Sequence, residues 1–531
     1  MPNVVELFLA QAKARPDAIA LIDRWGAGDR STTFAALEDQ SARIATLLAT
    51  RGIGPGSPVL LFHPPTAELY AVIIAIFRLG AIAMVVDISA GRGTLAAACR
   101  EMPPAALFAS GRALLLAFAS APLRAIAVKV TSARFALGAT RLMAARALPR
   151  HERLAPSGDD APALVTFTSG STGAAKGAVR THAVLGAQHE ALGSVAARAG
   201  ERDLVSLPIV VLTNLGAGAT SVIPAGDLRR PGAVAPAPVL AQVERHAVQR
   251  ITASPALVER LVDGVGASRP AALRGVRIVT GGGPVFPDLV MRANVVTGAP
   301  LIAVYGSTEA EPIAHVSSEQ IAEAEIAAMR GGAGLLAGEP VREATVRIVP
   351  AKIRGDDEAH AVLRGTMPVA AGTRGEIVVR GRHVVPGYLH GRGDAETKIH
   401  LDGAVWHRTG DAGYVDGNGR LWLLGRVAAT LRDGRGELHP FAVECAARLI
   451  VPGRRTVLAG HHGERILLVE GALAPGDRGA LREGLRWAML DRIVDGTTLP
   501  LDRRHNSKVD YNALPALLDR LAPVAAPNVR R

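Results

Sequence analysis

Along the first three hundred residues the apolar positions repeat with two different periods. Residues 4–14 repeat apolar side chains at the three-to-four spacing of an amphipathic helix, and 18–23 then alternate as a strand. Thr33 is placed to cap a helix running to Leu48. Residues 59–62 form an apolar run that predicts a buried strand, 68–79 a helix and 81–87 a further strand. The same rhythm returns at 204–208, 239–248, 250–253, 255–262 and 276–280. Such alternation predicts a largely parallel sheet covered by helices. After about Gly365 the texture changes to short alternating runs, 376–379 and 421–424, between Gly-rich turns, which predicts a small β-rich subdomain. Gly425 and Arg426 open a turn-rich segment to Gly436, and the last hundred or so residues predict a compact α+β unit. The fold class expected is α/β, with a large N-terminal domain over 1–424, a small C-terminal α+β domain over 427–531 and a hinge near Arg426.

At 531 residues the chain exceeds one ordinary core. With 49% hydrophobic and 20% charged residues it is neither disordered nor collagen-like, despite 57 Gly and 34 Pro. The longest apolar stretch, 69–86, is broken by Arg78 and Gly80 and fits a buried helix and strand better than a membrane span. The N-terminus shows no basic leader followed by an apolar run, and Cys99 and Cys445 have no metal-ligand spacing, so a reducing, cytoplasmic setting is expected.

Charge changes this picture little. Sixty Lys+Arg against 48 Asp+Glu give +12, a balance that taken alone points to nucleic acid or anionic lipid. Only six of the sixty are lysines, however, and Arg, Ala and Gly are abundant throughout, as a GC-rich coding bias produces. No dense basic run with interleaved aromatics appears, and nucleic-acid binding is not expected. A local basic stretch, Lys129, Arg134, Arg141, Arg146, Arg150 and Arg153 around apolar 135–143, is expected to be a solvated surface segment.

The sharpest chemical signal follows the apolar run 163–165. In Thr166-Phe-Thr-Ser-Gly-Ser-Thr-Gly-Ala-Ala-Lys-Gly177, glycines and hydroxylated residues let N–H and O–H groups converge on phosphate oxygens, and Lys176 adds a point charge. The spacing is not that of a Walker A loop. Alone, the segment would be an ordinary Gly/Ser-rich surface loop.

It does not stand alone. Ser169-Gly-Ser-Thr-Gly-Ala-Ala-Lys-Gly177 resembles the phosphate loop of the adenylate-forming superfamily, which includes acyl-CoA synthetases, peptide-synthetase adenylation domains and luciferases. Gly281-Gly-Gly-Pro284 resembles its adenine-side loop, Tyr305-Gly-Ser-Thr-Glu309 the segment for adenine, α-phosphate and magnesium, and Thr409-Gly-Asp411 with Gly425-Arg426 the ribose contacts. Lys508 resembles the catalytic lysine of a mobile C-terminal domain. The resemblance implies ATP bound by Thr168, Ser169, Gly170, Ser171, Thr172, Gly173, Lys176, Gly282, Gly283, Pro284, Tyr305, Gly306, Ser307, Asp411 and Arg426. It further implies Mg²⁺ on Glu309 and catalysis by Lys508 and Thr308. Each role suits its chemistry: a carboxylate accepts from both ribose hydroxyls, a phenol ring stacks on adenine, and a hard oxygen ligand suits Mg²⁺. Two of the six lysines, Lys176 and Lys508, fall at these positions, where a compact ammonium is not replaced by a planar guanidinium.

The departures from the superfamily pattern narrow it. Ala175 stands where a proline usually precedes the lysine, the gate segment Leu207-Pro-Ile-Val-Val-Leu-Thr-Asn-Leu-Gly216 is apolar, and 427–436 lacks the element that CoA ligases use around the thiol. Leu501-Asp-Arg-Arg-His-Asn-Ser-Lys-Val-Asp510, Ala395-Glu-Thr-Lys-Ile399, Val405-Trp-His-Arg-Thr-Gly-Asp-Ala-Gly-Tyr414 and Glu309-Ala-Glu-Pro312 resemble most the β-lactone synthetases of bacterial long-chain olefin biosynthesis. The substrate this implies is a carboxylic acid with an apolar chain, activated as acyl-AMP. The second acceptor is then either the substrate's own β-hydroxyl, closing a β-lactone, or CoA. A catalytically degenerate ATP-binding regulator is the reading from another class, and intact Lys508, Glu309 and Asp411 argue against it. His182 and His505 lie near motifs, and a structural hydrogen-bonding role is expected for His505.

Overall fold

The apolar run at 69–86 folds as the helix Ala67–Arg78 and the strand Ile82–Val86 in the computed structural model. The model describes residues 3–26, 28–86, 92–136, 138–169, 175–265, 271–350, 356–502 and 508–521. Thr66 caps the helix and Gly80, at φ +63°, turns the chain into the strand. Arg78, only 2% exposed, gives its guanidinium to Glu38 Oε1 (2.7 Å) and the His151 carbonyl (3.1 Å). The charge that interrupts the apolar run is therefore paired inside the core, where deleting one partner costs about 3–5 kcal/mol. Among the described residues no helix is long and apolar enough to cross a membrane.

Two large sheets carry most of the chain. The first has seven strands in the order Thr140–Arg141, Val128–Thr131, Ala106–Ala109, Pro58–Phe62, Ile82–Val86, Pro162–Ser169 and Ala175–Thr181. All its pairs are parallel except the last, an antiparallel hairpin. The second has a parallel half built from Ile19–Trp25, Thr220–Val222, Arg202–Val205, Arg250–Ala253, Arg277–Gly281 and Leu301–Ser307. The alternation read from the sequence is thus present, and Thr33 Oγ1 caps the helix Phe34–Ala49 by accepting from Ala36 N at 3.1 Å.

The β-rich part expected after Gly365 begins earlier and is not set apart. From Ala310–Ser317 the second sheet continues antiparallel through Leu335–Pro340, Leu421–Arg426, Ala404–Val415, Gly375–Arg380 and Thr345–Pro350. Alternating half-buried strands extend an existing edge as readily as they make a separate sheet, and periodicity alone does not distinguish the two. Beyond Arg426, a three-stranded sheet of Thr456–His461, Glu464–Glu470 and Arg492–Thr497 packs with the helices Pro440–Ile450, Asp477–Gly484 and Leu514–Leu521. The helix Pro440–Ile450 also meets the large sheet: Phe441 stands edge-on to Phe286 at 5.5 Å, and Arg448 lies 4.0 Å over the same ring. Asp288 is buried between the two bodies, accepting from Gly453 N at 3.1 Å, with Arg448 3.8 Å away.

Candidate active site

The strands Arg277–Gly281 and Leu301–Ser307 end side by side, Gly281 opposite Val304. A Cβ on Gly281 would sit 2.7 Å from the Val304 carbonyl, so only glycine permits this approach. Gly282, at φ +80°, turns the chain into the half-buried segment through Gly283 and Pro284. Next to it, Leu301–Ser307 folds back onto Ala310–Ser317 through a tight turn at Thr308 and Glu309. A Cβ on Gly306 would lie 2.8 Å from the Ala310 carbonyl, and Ser307 Oγ accepts from Glu309 N at 3.2 Å. The two segments that the sequence singled out separately thus form one rim at the carboxyl ends of parallel strands, where open α/β sheets bind ligands.

Asp411 reaches the same rim from the antiparallel half. Tyr305 donates its hydroxyl to Asp411 Oδ2 at 2.8 Å, and Arg426, paired with Asp411 across the strands, lies 3.3 Å from Oδ1. Arg426 also donates to the Thr409 carbonyl at 3.0 Å, and Thr409 Oγ1 accepts from Asp411 N at 3.1 Å. Burial and the Asp411 carboxylate push the Tyr305 phenol well above its usual range, which keeps it a donor.

Glu309 is held on every side. Its carbonyl accepts from Val385 N at 2.7 Å, and its carboxylate Oε1 accepts from the Tyr388 hydroxyl at 2.6 Å. Burial alone would raise this carboxyl, but the field of His407 and the Tyr388 hydroxyl outweigh it and the net direction is down. Arg180, buried on the strand Ala175–Thr181, donates to Thr166 Oγ1 (3.1 Å) and to the Thr308 carbonyl (2.6 Å). One guanidinium therefore clamps the hairpin of 162–169 and 175–181 to the Thr308–Glu309 turn.

On that hairpin Thr168 stands opposite Lys176, and Ser169 opposite Ala175. Gly170, Ser171, Thr172 and Gly173 lie outside the described residues, as does His505. Lys176 is 5.7 Å from the centre of the Tyr388 ring and 3.9 Å from Glu396. A Cβ on Gly393 would come within 2.5 Å of the Lys176 ammonium, so glycine there, at φ +100°, leaves the lysine its place.

Besides Arg180, three side chains in this cluster carry no role in the sequence reading: Tyr388, Lys398 and His407. Lys398 and His407 are cross-strand partners, both buried. The Lys398 ammonium donates to the Val385 carbonyl (2.5 Å), lies 3.4 Å from His407 Nδ1 and faces the Tyr388 ring at 5.7 Å. Burial brings Lys398 down to about 8, and burial together with the neighbouring ammonium brings His407 down to about 4. In Lys398→Met, the His407 imidazole is expected to titrate at a higher pH, read by NMR of its ring protons. An unmoved titration would mean that burial alone sets it. The signal for Lys398 was in the sequence, since it is one of only six lysines and sits in the 395–399 stretch.

Lys508 is exposed; its N donates to Asp502 Oδ1 (2.9 Å) and its carbonyl accepts from Asp502 N (2.8 Å). Three residues on, Tyr511 lies within electrostatic reach of Arg426 and Asp411. His182 is structural: 1% exposed, it accepts from Val4 N at 3.3 Å and packs edge-on to Phe77.

Residues 8–389 match the family described as AMP-binding enzyme. The chain is 33% identical over 548 residues to the olefin beta-lactone synthetase of Stenotrophomonas maltophilia, covering 96% of this chain and 97% of that one. It is 31% identical over 563 residues to the olefin beta-lactone synthetase of Xanthomonas campestris pv. campestris, covering 96% of each. Among solved structures, the anthranilate CoA ligase AuaEII in complex with anthranoyl-AMP superposes with a TM-score of 0.81 at 18% identity over 98% of both chains, a likeness of fold. The chain therefore belongs to the AMP-binding enzyme family and is an adenylate-forming ligase.

Proposed function

We propose that this enzyme activates the carboxylate of a long-chain β-hydroxy acid with ATP and then closes a β-lactone. In the first step a carboxylate oxygen attacks the α-phosphorus, the bond to the bridging oxygen breaks, and acyl-AMP and pyrophosphate result. In the second the substrate's β-hydroxyl oxygen attacks the acyl carbonyl, loses its proton and expels AMP. The observation that carries this reading is the likeness to the two synthetases over nearly the whole of both chains, beyond the matched family segment.

The site's donors suit the nucleotide. Asp411 accepts from Tyr305 and faces Arg426, yet a carboxylate has about four acceptor positions and keeps room for two ribose hydroxyls. The Tyr305 ring and the segment Gly282, Gly283 and Pro284 are assigned to adenine, with Gly306 and Ser307 supporting the turn. Thr308 is assigned to the α-phosphate, and Thr168, Ser169, the 170–173 turn and Lys176 to the outer phosphates. A buried carboxylate whose net direction is down fits Mg²⁺ at Glu309, where the ion would offset phosphate charge. Lys508 is assigned to the charge that grows between carboxylate and α-phosphate. Residues 427–531 are read as a unit that moves about Arg426 to bring it there.

The apolar gate segment folds as the helix Pro208–Ala217, to which the apolar chain of the acid is assigned. An intramolecular acceptor needs no second binding tunnel, because the substrate's own geometry sets its effective concentration. With ATP and Mg²⁺ but no CoA, a long-chain β-hydroxy acid should release AMP and a neutral four-membered lactone. The matched acid without the hydroxyl should stall as bound acyl-AMP. CoA-dependent AMP release with the plain acid, giving an acyl-CoA by mass spectrometry, would leave an ordinary acyl-CoA ligase.

A further inference from the structure

At the edge of the seven-stranded sheet opposite the phosphate-side hairpin, the charge pattern is one-sided. No Asp or Glu occurs between Glu101 and Glu152. With 48 acidic residues in 531, a stretch of that length would ordinarily hold about four. It holds seven basic residues instead. The fold sorts them. Lys129 turns inward, giving its ammonium to the Arg124 and Ile126 carbonyls, and Arg150 is tied to Glu38, Asp39 and Glu152. Arg112, Arg124, Arg134, Arg141 and Arg146 are exposed, and none has an ion-pair partner among the described residues.

Large apolar side chains share this surface. The segment after the strand Val128–Thr131 runs beside the helix Gly111–Ala119: a Cβ on Gly111 would lie 3.2 Å from Ala133 Cβ, and one on Gly138 3.4 Å from the Phe118 ring. Between these contacts, Leu115 and Leu116 project from the helix, 72% and 53% exposed, and Phe135 from the adjoining segment, 91% exposed. Met143, 59% exposed, follows on the short helix Leu142–Ala147. Among the described residues, half of the eight large hydrophobic side chains that are exposed fall here. A solvated surface segment, the reading of the sequence, does not account for an almost bare phenylalanine among arginines that have no acidic partner among the described residues, Arg124 giving its guanidinium to the Phe118 carbonyl.

We propose that this face docks on an anionic phospholipid bilayer, with Phe135, Leu115 and Leu116 entering the headgroup and acyl boundary and the five arginines meeting lipid phosphates. Charge of one sign spread over a convex helix and loop suits a continuous anionic plane, and each basic side chain near such a surface contributes attraction that salt screens. A protein partner would instead have to supply acids for five arginines and a pocket for a projecting ring. The face lies at the edge of the seven-stranded sheet opposite the hairpin that carries Lys176.

The test is co-sedimentation of the full chain, without ATP or acid, with phosphatidylcholine vesicles and with vesicles one third phosphatidylglycerol. Binding should favour the anionic vesicles at least tenfold and fall in 0.5 M NaCl. Arg134→Glu with Arg141→Glu should weaken it at least tenfold, and Phe135→Ser about fivefold. Should either variant lose its native melting transition, Leu116→Gln with Arg146→Glu makes the same comparison on the helices alone. Equal binding to both vesicle types, or variants that sediment like the parent, would overturn the proposal. So would polyglutamate binding without vesicle binding, which would make the face a protein interface.

Discussion

Lys508→Ala is expected to lose acid-dependent pyrophosphate exchange by about 10²–10³-fold, the range found when one preorganised donor is removed from developing charge. ATP affinity should change by no more than about twofold, because the nucleotide's assigned contacts lie before Arg426 and Lys508 serves the transition state. The melting temperature should hold, since both hydrogen bonds between residue 508 and Asp502 use the backbone of 508, which alanine keeps. Exchange at the parental rate in this variant would remove Lys508 from the reaction.

Asp411→Ala should act on binding instead. The substitution removes the acceptor assigned to the ribose hydroxyls and takes away the carboxylate that the Tyr305 hydroxyl donates to, while Arg426 keeps the Thr409 carbonyl. Hydrogen bonds to a charged acceptor contribute about 1.5–3 kcal/mol each, so ATP should bind at least tenfold more weakly by calorimetry, and the protein should melt earlier. Asp411→Asn, which retains an oxygen for Tyr305, should recover the melting temperature before it recovers affinity. Glu309→Gln is the contrast: ATP affinity in the absence of metal should persist while the Mg²⁺ concentration for half-maximal activity rises. Unchanged ATP affinity in Asp411→Ala would make the ribose assignment wrong.

The parallel half of the molecule was legible because each strand and helix writes its period locally, as at 59–62 and 67–78, and because caps such as Thr33 are short-range devices. The rim of the site was legible as separate segments, and its assembly was not. Arg180 meets Thr308 across 128 positions, and Tyr388 meets Glu309 across 79, separations that no window of periodicity spans. Tyr388 is one tyrosine after a glycine, and nothing near it in sequence announces that its hydroxyl will hold a carboxylate. Lys398 was different: the argument from lysine scarcity, carried to all six, reaches it. The basic stretch misled in the other direction, because side-chain direction decides that Lys129 is core and Arg134 is surface.

Asp288 gives the proposed domain movement an energetic shape. Its side chain is 1% exposed, sits at the seam between the large sheet and the C-terminal unit, and has one oxygen without a hydrogen bond. Rotation of that unit would take away the Gly453 amide and the Arg448 guanidinium together and admit water to a carboxylate that had little of it. Part of what is lost in direct contact is returned as hydration, so the two orientations are brought closer in free energy than a count of broken contacts suggests. On the proposed rotation, solvent entry at Asp288 and the movement would be one event, with Arg292 of the same helix, 3.4 Å from Oδ2, staying with the carboxylate throughout.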